Sequence, residues 1–322
     1  MIEKIESADQ LIEKAIEIAK VGRKKKIAVA AAQDPDVIDA VAQAVSQGFI
    51  DAILVGDKKL IESYASEKSA ELSTMEIYDE QDPIKAAHIA VKLASEYQAD
   101  AIMKGFLPTS ALLKTVLDKR YNLRGKNTLS HCAVLDIPGY HKLLNFTDGG
   151  MVVAPDAEQK FQIIENALLV SKSFGMSPVK VALSGPYMTP DANNPHTVYD
   201  KEVIVPRVQK ELKDVHIEAN ISFDLATVGN SSLKKKYNSE LIGDTDIFVS
   251  NSIEECNIVA KSLIQSIGTV FAGVIVGAKV PVSLVSRSDT VKNKKAAIAI
   301  SCLLADYYQT NHIWSDDRCL KK

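Results

Sequence analysis

Aromatic residues are scarce. Phe, Tyr and Trp make up 6% of 322 residues, with a single tryptophan. That leaves few rings for base stacking, so a single-strand nucleic-acid binder is not expected. An excess of one charge is also missing: 38 Lys and Arg stand against 41 Asp and Glu, a net charge of -3. General attraction to nucleic acid or to an anionic membrane is therefore not expected. Cysteines are few. Cys132, Cys256, Cys302 and Cys319 form no CxxC pair, which argues against a disulfide framework or a zinc site and for reduced thiols in a cytoplasmic protein. No apolar run approaches the roughly 18 residues of a membrane helix. The start, MIEKIESADQ, carries acids early and has no continuous apolar stretch, so no secretory signal is expected. GxGxxG after the first strand, GxxxxGK[ST] and HExxH are all absent. A dinucleotide fingerprint, a P-loop and a zincin site lose their support with them.

The chain does contain short β-branched runs alternating with segments of helical period. Apolar residues make up 46% and charged residues 25%, as in soluble globular proteins. The length suits two domains. KIAVAAA (26–32) is a continuous apolar run that stops at Gln33-Asp34-Pro35, where Asp34 is placed as a helix cap and Pro35 in the first turn. DAILVGD (51–57), DAIMKG (100–105), PVKVALSG (178–185) and TDIFVSN (245–251) read as further strands. AGVIVGAKVPVSLVS (272–286) reads as two strands joined at Gly277-Ala278-Lys279. Continuous apolar strands between helices imply a mostly parallel sheet covered on both faces. The expected fold class is α/β: two domains of mostly parallel sheets with flanking helices. The boundary is placed at Gly149-Gly150 and Pro155, giving 1–152 and 153–290, with the helix of about 291–322 free to pack back on the first domain.

In open parallel sheets, ligands bind outside the carboxyl ends of the strands. Those ends carry Lys104-Gly105, Ser130-His131, Thr147-Asp148-Gly149-Gly150, Ser184-Gly185, Asn251 and Ser286-Arg287-Ser288-Asp289. The set is rich in hydroxyls, glycine amides and cations, which suit phosphate. Thr109, Ser110 and Lys114 fall on the first turns of a helix, with Ser110 and Lys114 on one face. Asn257 and Lys261 likewise share a face. His131-Cys132 makes a poor nucleophile–base pair, because adjacent strand side chains point to opposite faces.

Taken in order, AIMKGFLPTSALLKTVLDKRYNLRGKNTLSH (101–131), TDGGMVVAPDAEQKFQIIENA (147–167), CNIVAKSL (256–263) and GAKVPVSLVSRSDTVKNKKAAIA (277–299) carry a resemblance. The chain resembles the phosphate acetyl/butyryltransferases, and the butyryl branch more closely. The resemblance implies two α/β domains with a cleft, on the broad fold of isopropylmalate dehydrogenase. It implies exchange of a short acyl group, butyryl-like or acetyl, between coenzyme A and inorganic phosphate in a ternary complex. Coenzyme A is then a substrate, and no metal or redox cofactor is expected. The implied partners are acyl-CoA and phosphate, with no nucleic acid and no membrane, in a cytoplasmic homodimer or larger homo-oligomer. By motif match Ser286-Arg287 takes the place of the family's Ser-Arg, and Asp289 that of a base just beyond it.

The expected roles follow. Arg287 and Lys104 hold phosphate. Ser286 orients it or the oxyanion. Asp289 or Asp224 assists the thiol. Gly105, Thr109, Ser110, Lys114, Asp148, Gly149, Gly150, Ser184, Asn257 and Lys261 complete the phosphate and coenzyme A contacts. Several have a plainer competing reading: an Arg287–Asp289 ion pair, a helix cap at Asp289 or Ser286, a turn at Gly149-Gly150, a solvated strand end at Lys104. A thiol must ionise to attack, and its usual pKa is about 8.5. The tetrahedral state needs donors already facing the oxyanion. Two other readings stay open: a binder of coenzyme A or acyl phosphate without turnover, and a dehydrogenase of the isopropylmalate type. The sequence departs from the family pattern at Cys256, where Gly is usual, at Ser252, where Pro is usual, and at Ala219-Asn220, where Gly-Pro is usual.

Overall fold

The computed structural model describes residues 5–186, 190–286 and 289–314. The chain begins α1 (Ala8–Val21), β1 (Lys25–Ala30), α2 (Pro35–Ser46), β2 (Ile50–Gly56), α3 (Lys58–Glu67), β3 (Glu76–Asp79), α4 (Pro83–Ser95), β4 (Ala101–Lys104) and α5 (Thr109–Val116). It continues β5 (Ser130–Asp136), β6 (Leu144–Thr147), α6 (Ala157–Ser173), β7 (Val179–Ser184), α7 (Pro195–Tyr199), α8 (Val205–Glu211) and β8 (Val215–Ile221). It ends α9 (Phe223–Thr227), α10 (Ser231–Tyr237), β9 (Ile247–Val249), α11 (Ile253–Ile267), β10 (Val270–Val276), β11 (Val282–Ser283) and α12 (Val291–Thr310).

Local chemistry sets many of these boundaries. Asp34, Asp57 and Asp82 each accept two backbone N–H groups at the start of α2, α3 and α4, and Pro35 and Pro83 stand in the first turns. Asp156 and Gln159 form a reciprocal capping box on α6. At α12 the cap is Thr290, whose Oγ1 accepts from Asn293 N. The cap expected at Asp289 therefore falls one residue later, and the Asp289 carboxylate is used elsewhere.

The chain divides into two compact units. One holds Ala8–Lys126 and Ala272–Lys322. Its strands run in the order β3-β2-β1-β4-β11-β10, and β10 and β11 form the expected antiparallel pair. β4 is buried along its whole length and β1 nearly so, as parallel strands covered on both faces must be. α12 packs on α1 and α2.

The other unit holds Met1–Ser7 and Asn127–Phe271. Its strands run β5-β6-β9-β7-β8, all parallel except β5 against β6. α6 crosses four of these strands. A core of Ala133, Leu135, Phe146 and Phe248 closes against Cys256 and Ala260 of α11.

The division thus lies at 126/127 and 271/272, not at the expected 152/153 and 290/291. The cause is long-range pairing. Cys132 pairs with Thr147, and Asn145 with Ile247, which carries 130–147 into the second sheet. The Gly149-Gly150 break is a loop within that unit and not a linker.

Candidate active site

In the first unit the strand order reverses between β1 and β4. Such a switch point opens a crevice at the carboxyl ends. Lys104 pairs in register with Ala30, while Ser283 pairs with Met103 on the other side. The ends of β1, β4 and β11 therefore lie side by side, and Lys104-Gly105 and the segment leading to Ser286 share one edge. Lys104 is buried, and its Nζ donates to Gly105 O at 3.2 Å. Ser286 is exposed. Its N–H donates to Asp289 Oδ2 at 2.5 Å, and Asp289 N donates back to Ser286 O at 3.2 Å. Asp289 is thus buried as the brace of its own strand end. Arg287 and Ser288 lie outside the described residues. Beyond β4, Thr109 opens α5 half-buried, with Ser110 and Lys114 exposed on its surface.

Gly105 is held by close approach. A Cβ there would stand 2.1 Å from Ala31 O and 2.8 Å from Ala30 O. Both neighbours are backbone atoms and cannot swing aside. Gly105→Ala is expected to destabilise by about 1–3 kcal/mol through overpacking. A urea titration should show a lower midpoint with an unchanged slope. A parent-like midpoint would mean that the β1–β4 edge yields easily.

In the second unit, Asp148 organises a loop. Its carboxylate accepts from His131 N (3.2 Å), Gly150 N (2.9 Å), Met151 N (3.0 Å) and Val152 N (3.0 Å). Burial pushes the Asp148 pKa up, and the four amides oppose that shift. These amides are accordingly occupied, not open to a substrate phosphate. Asn257 Nδ2 donates to Gly149 O at 3.1 Å and ties α11 to the same loop. Lys261, one turn further along, is exposed. Asp224 is exposed on α9 and accepts the Ser222 hydroxyl.

His131 is the second residue of β5, at its amino end, and does not follow a strand, contrary to expectation. Its ring is buried against Gly150 and Phe271. Burial pushes its pKa down to about 4. The sign of the consequence is fixed by linkage. The unfolded chain takes up a proton near pH 6.5 that the folded chain refuses until about pH 4. Stability is full above pH 6.5 and is lost as pH falls toward 4, by about 3 kcal/mol in all. Replacing His131 by Leu should flatten this acid limb in denaturant titrations between pH 7 and pH 4. An unaltered slope would show that His131 is not its source.

At the carboxyl ends of β7 and β9, Ser184 and Asn251 join a polar network whose other members, Lys160, Asp200 and Glu255, the sequence-based reading did not single out. Lys160 Nζ donates to both oxygens of Asp200 (2.6 and 2.6 Å) and to Asn251 Oδ1 (2.7 Å). Asn251 Nδ2 donates to Ser184 O at 3.1 Å, and Asn251 N to Glu255 Oε2 at 2.9 Å. The Ser184 hydroxyl donates to Glu255 Oε1. Burial drives the Lys160 pKa down and the Asp200 pKa up, and each partner's charge opposes the shift. Three oxygens around one nitrogen match the three protons of an ammonium group, the arrangement of an ion pair. A sequence signal existed. Lys160 stands four residues before Ile164 and seven before Ala167, on the buried stripe of α6. A second buried lysine, Lys142, pairs with Asp246 (2.6 Å) and Asp244 (2.7 Å) at the amino ends of β6 and β9. That end of the sheet is away from the strand carboxyl ends, so the Lys142 pair reads as architecture.

Comparison with known proteins decides the family. The chain matches the phosphate acetyl/butaryl transferase family over residues 10–87 and 80–302. It is 34% identical to the phosphate butyryltransferase of Clostridium beijerinckii over 281 residues, 87% of this chain and 93% of that protein. The chain belongs to the phosphate acetyl/butaryl transferase family. Another member, the phosphate acetyltransferase of Thermotoga maritima, is 32% identical over 294 residues, 91% of this chain and 99% of that protein. In structure the chain is similar to a branched-chain phosphotransacylase from Enterococcus faecalis V583, with a TM-score of 0.76 and 28% identity, covering 87% of this chain and 99% of that one.

Each departure from the family pattern has a physical setting. Cys256 is fully buried, and its Sγ lies 2.8 Å from where a Cβ on Gly149 would stand. Ser252 caps α11, its side chain accepting from Glu255 N. Asn220 has a φ of +64°, a left-handed conformation that Asn tolerates. It lies where the β7–β8 register shifts, beside Gly185. The replacements thus keep a capped helix and a bulged strand.

Proposed function

We propose that this chain is a cytoplasmic phosphate acyltransferase that moves a short-chain acyl group between coenzyme A and inorganic phosphate. A phosphate oxygen attacks the thioester carbonyl carbon. The C–O bond forms, the C–S bond breaks, and coenzyme A leaves as a thiolate that takes up a proton. The reverse reaction runs from acyl phosphate and thiolate. Coenzyme A is a substrate here, and the scheme calls for no metal or redox cofactor. The observation that carries the reading is family membership along nearly the whole chain.

The arrangement at the β1–β4 switch point supports it. There Lys104 and the braced Ser286–Asp289 segment share one edge. In this reading Arg287 and Lys104 clamp phosphate, Ser286 orients it or the oxyanion, and Asp289 or Asp224 assists the thiol. Holding both substrates together removes an entropic cost of up to about 7–11 kcal/mol. A covalent nucleophile is then not required. The cytoplasmic assignment is supported by Cys132, Cys256 and Cys302, all buried free thiols, and no described helix is long and apolar enough to cross a membrane. A homodimer or larger assembly rests on the family resemblance, and light scattering after size exclusion would read it.

The test is thiol release from acetyl-, propionyl- and butyryl-CoA with and without phosphate. Phosphate-dependent release, greatest with one of these chains, is the expected result. Tight binding of coenzyme A with no release would overturn turnover and leave a binder.

A further inference from the structure

Phe106 is the one phenylalanine of the eight that is exposed, at 44%. A lone exposed apolar side chain is ordinary on a protein surface. Its place and its anchoring single this one out. β4 ends at Lys104, beside the point where the strand order of the first unit reverses. Phe106 follows two residues later, on the loop that leads into α5. That loop is pinned to the end of β1. Gly105 N donates to Ala30 O at 2.9 Å, Phe106 N to Ala31 O at 2.6 Å, and Leu107 N back to Gly105 O at 3.0 Å. Gly105 has no room for a side chain between the same carbonyls, and Leu107 is buried. The phenyl ring is thus carried on a fixed backbone and left in solvent. Leaving a ring in water forgoes the gain of burying it, which a ligand that covers the ring would recover.

We propose that Phe106 forms a wall for the alkyl part of the acyl group and thereby sets a preference for butyryl over acetyl. The proposal rests on the acyltransferase reading and adds a specificity-determining residue to it. The step from phosphate to ring is one of covalent geometry. In an acyl phosphate the acyl carbon is joined to phosphorus through a single oxygen, so the alkyl chain starts beside whatever holds the phosphate. In that reading Lys104 holds it. Residues two apart in a chain have Cα atoms at most about 7 Å apart, so Phe106 stands within reach of the first carbons of the chain. Ser110 and Ser286, exposed on the same unit, are polar and give methylenes no apolar cover. Butyryl carries two methylenes more than acetyl, and a methylene in an apolar pocket is worth about 10–200-fold in selectivity. One ring face with water beyond it belongs at the low end of that range. The ring takes no part in making or breaking bonds.

The experiment measures kcat/KM for acetyl-, propionyl- and butyryl-CoA with phosphate in the parent, Phe106→Ala and Phe106→Gln. The parent is expected to prefer butyryl over acetyl. In both variants the butyryl-to-acetyl ratio should fall by about 10-fold or more, with propionyl between. The loss should appear as a raised KM for butyryl-CoA with kcat little changed, because the ring meets the alkyl chain alike in the ground and transition states. The KM for phosphate and the acetyl-CoA reaction should stay near those of the parent. The reverse direction gives an independent reading. Butyryl phosphate and acetyl phosphate with coenzyme A should show the same fall, since the acyl group is what the two directions share. Melting temperatures should stay close to that of the parent, as expected for a ring outside the core.

A parent that prefers acetyl, or an unchanged ratio in folded variants, overturns the proposal and leaves the acyltransferase reading intact. An equal loss with every acyl chain also overturns it and points to a contact with the coenzyme A nucleotide, which all three thioesters share. If Phe106→Ala fails to fold, Phe106→Gln carries the test by the same ratio. Failure of both to fold makes the ring structural and overturns the proposal. A parent that binds coenzyme A yet releases no thiol with phosphate overturns the acyltransferase reading itself, and this proposal with it.

Discussion

Arg287→Ala is expected to lower kcat/KM for acyl transfer to phosphate by about 10²–10³-fold, with most of the loss in phosphate handling. The argument starts from the strand. β11 is held on both sides, by β4 and by β10. Ser286 and Asp289 are joined by two hydrogen bonds, and Lys294 adds a third to the Asp289 carbonyl. Arg287 thus stands in sequence between two fixed residues, Ser286 and Asp289. Guanidinium is the side chain that grips phosphate through two parallel N–H donors. Its removal leaves Lys104 as a point charge without the fork. Arg287→Lys should therefore recover only part of the activity, and added guanidinium should partly rescue the Ala variant. The melting temperature should stay close to that of the parent, because β11 is braced by groups other than Arg287. An Ala variant that turns over butyryl phosphate and coenzyme A at the parent rate would remove Arg287 from the mechanism.

Much of the fold was legible because its signals are local. Asp34-Pro35 marks a helix start within two residues, and the Gly277-Ala278-Lys279 turn marks a strand pair within three. The domain division was not legible. Gly149-Gly150 has the composition of a linker, but on its N-terminal side β5 pairs with β6, and β6 with β9, a hundred residues away in sequence (Asn145 with Ile247). Pairing at that range leaves no trace in composition. At the site, strand ends could be read in order, which brought Lys104, Ser184 and Ser286 forward. What each side chain touches could not. Asp148 looked like a residue for substrate and instead gathers four amides of its own loop. Asp289 looked like a cap, while Thr290 beside it takes that place. Ser and Thr caps compete with Asp on nearly equal terms, so one residue of offset lies below what sequence resolves. His131 drew attention as a neighbour of Cys132. The feature that singles it out, two unpaired nitrogens, exists only once the core has closed around it.

Asp200→Asn is expected to lower the unfolding free energy by about 3–5 kcal/mol, because it leaves the Lys160 ammonium buried without its counter-charge. Lys160 is 3% exposed and Asp200 is fully buried. The pair cannot exchange its partner for water without opening α6 from the segment that follows α7. An amide in place of the carboxylate keeps the shape and one acceptor oxygen, so the loss reads out charge and not volume. Lys160 can soften the penalty by shedding its proton, which burial already favours. The destabilisation of Asp200→Asn should therefore shrink as pH rises through the alkaline range, where a neutral lysine is cheaper to form. Replacing both partners, Lys160→Met with Asp200→Leu, should regain most of the stability, since a well-packed apolar pair of similar volume avoids desolvating two charges. The double variant would still lack the hydrogen bond that Lys160 gives Asn251. Asn251 positions Ser184 and Glu255 at the carboxyl ends of β7 and β9. Stability restored together with a raised KM for coenzyme A would separate the two duties of the pair, holding the helix and aligning that strand edge. Denaturant midpoints for the two variants, taken at pH 7 and pH 10, make the comparison. If Asp200→Asn unfolds at the parent midpoint, the pair is not ionised, and the ammonium geometry argued for Lys160 is wrong.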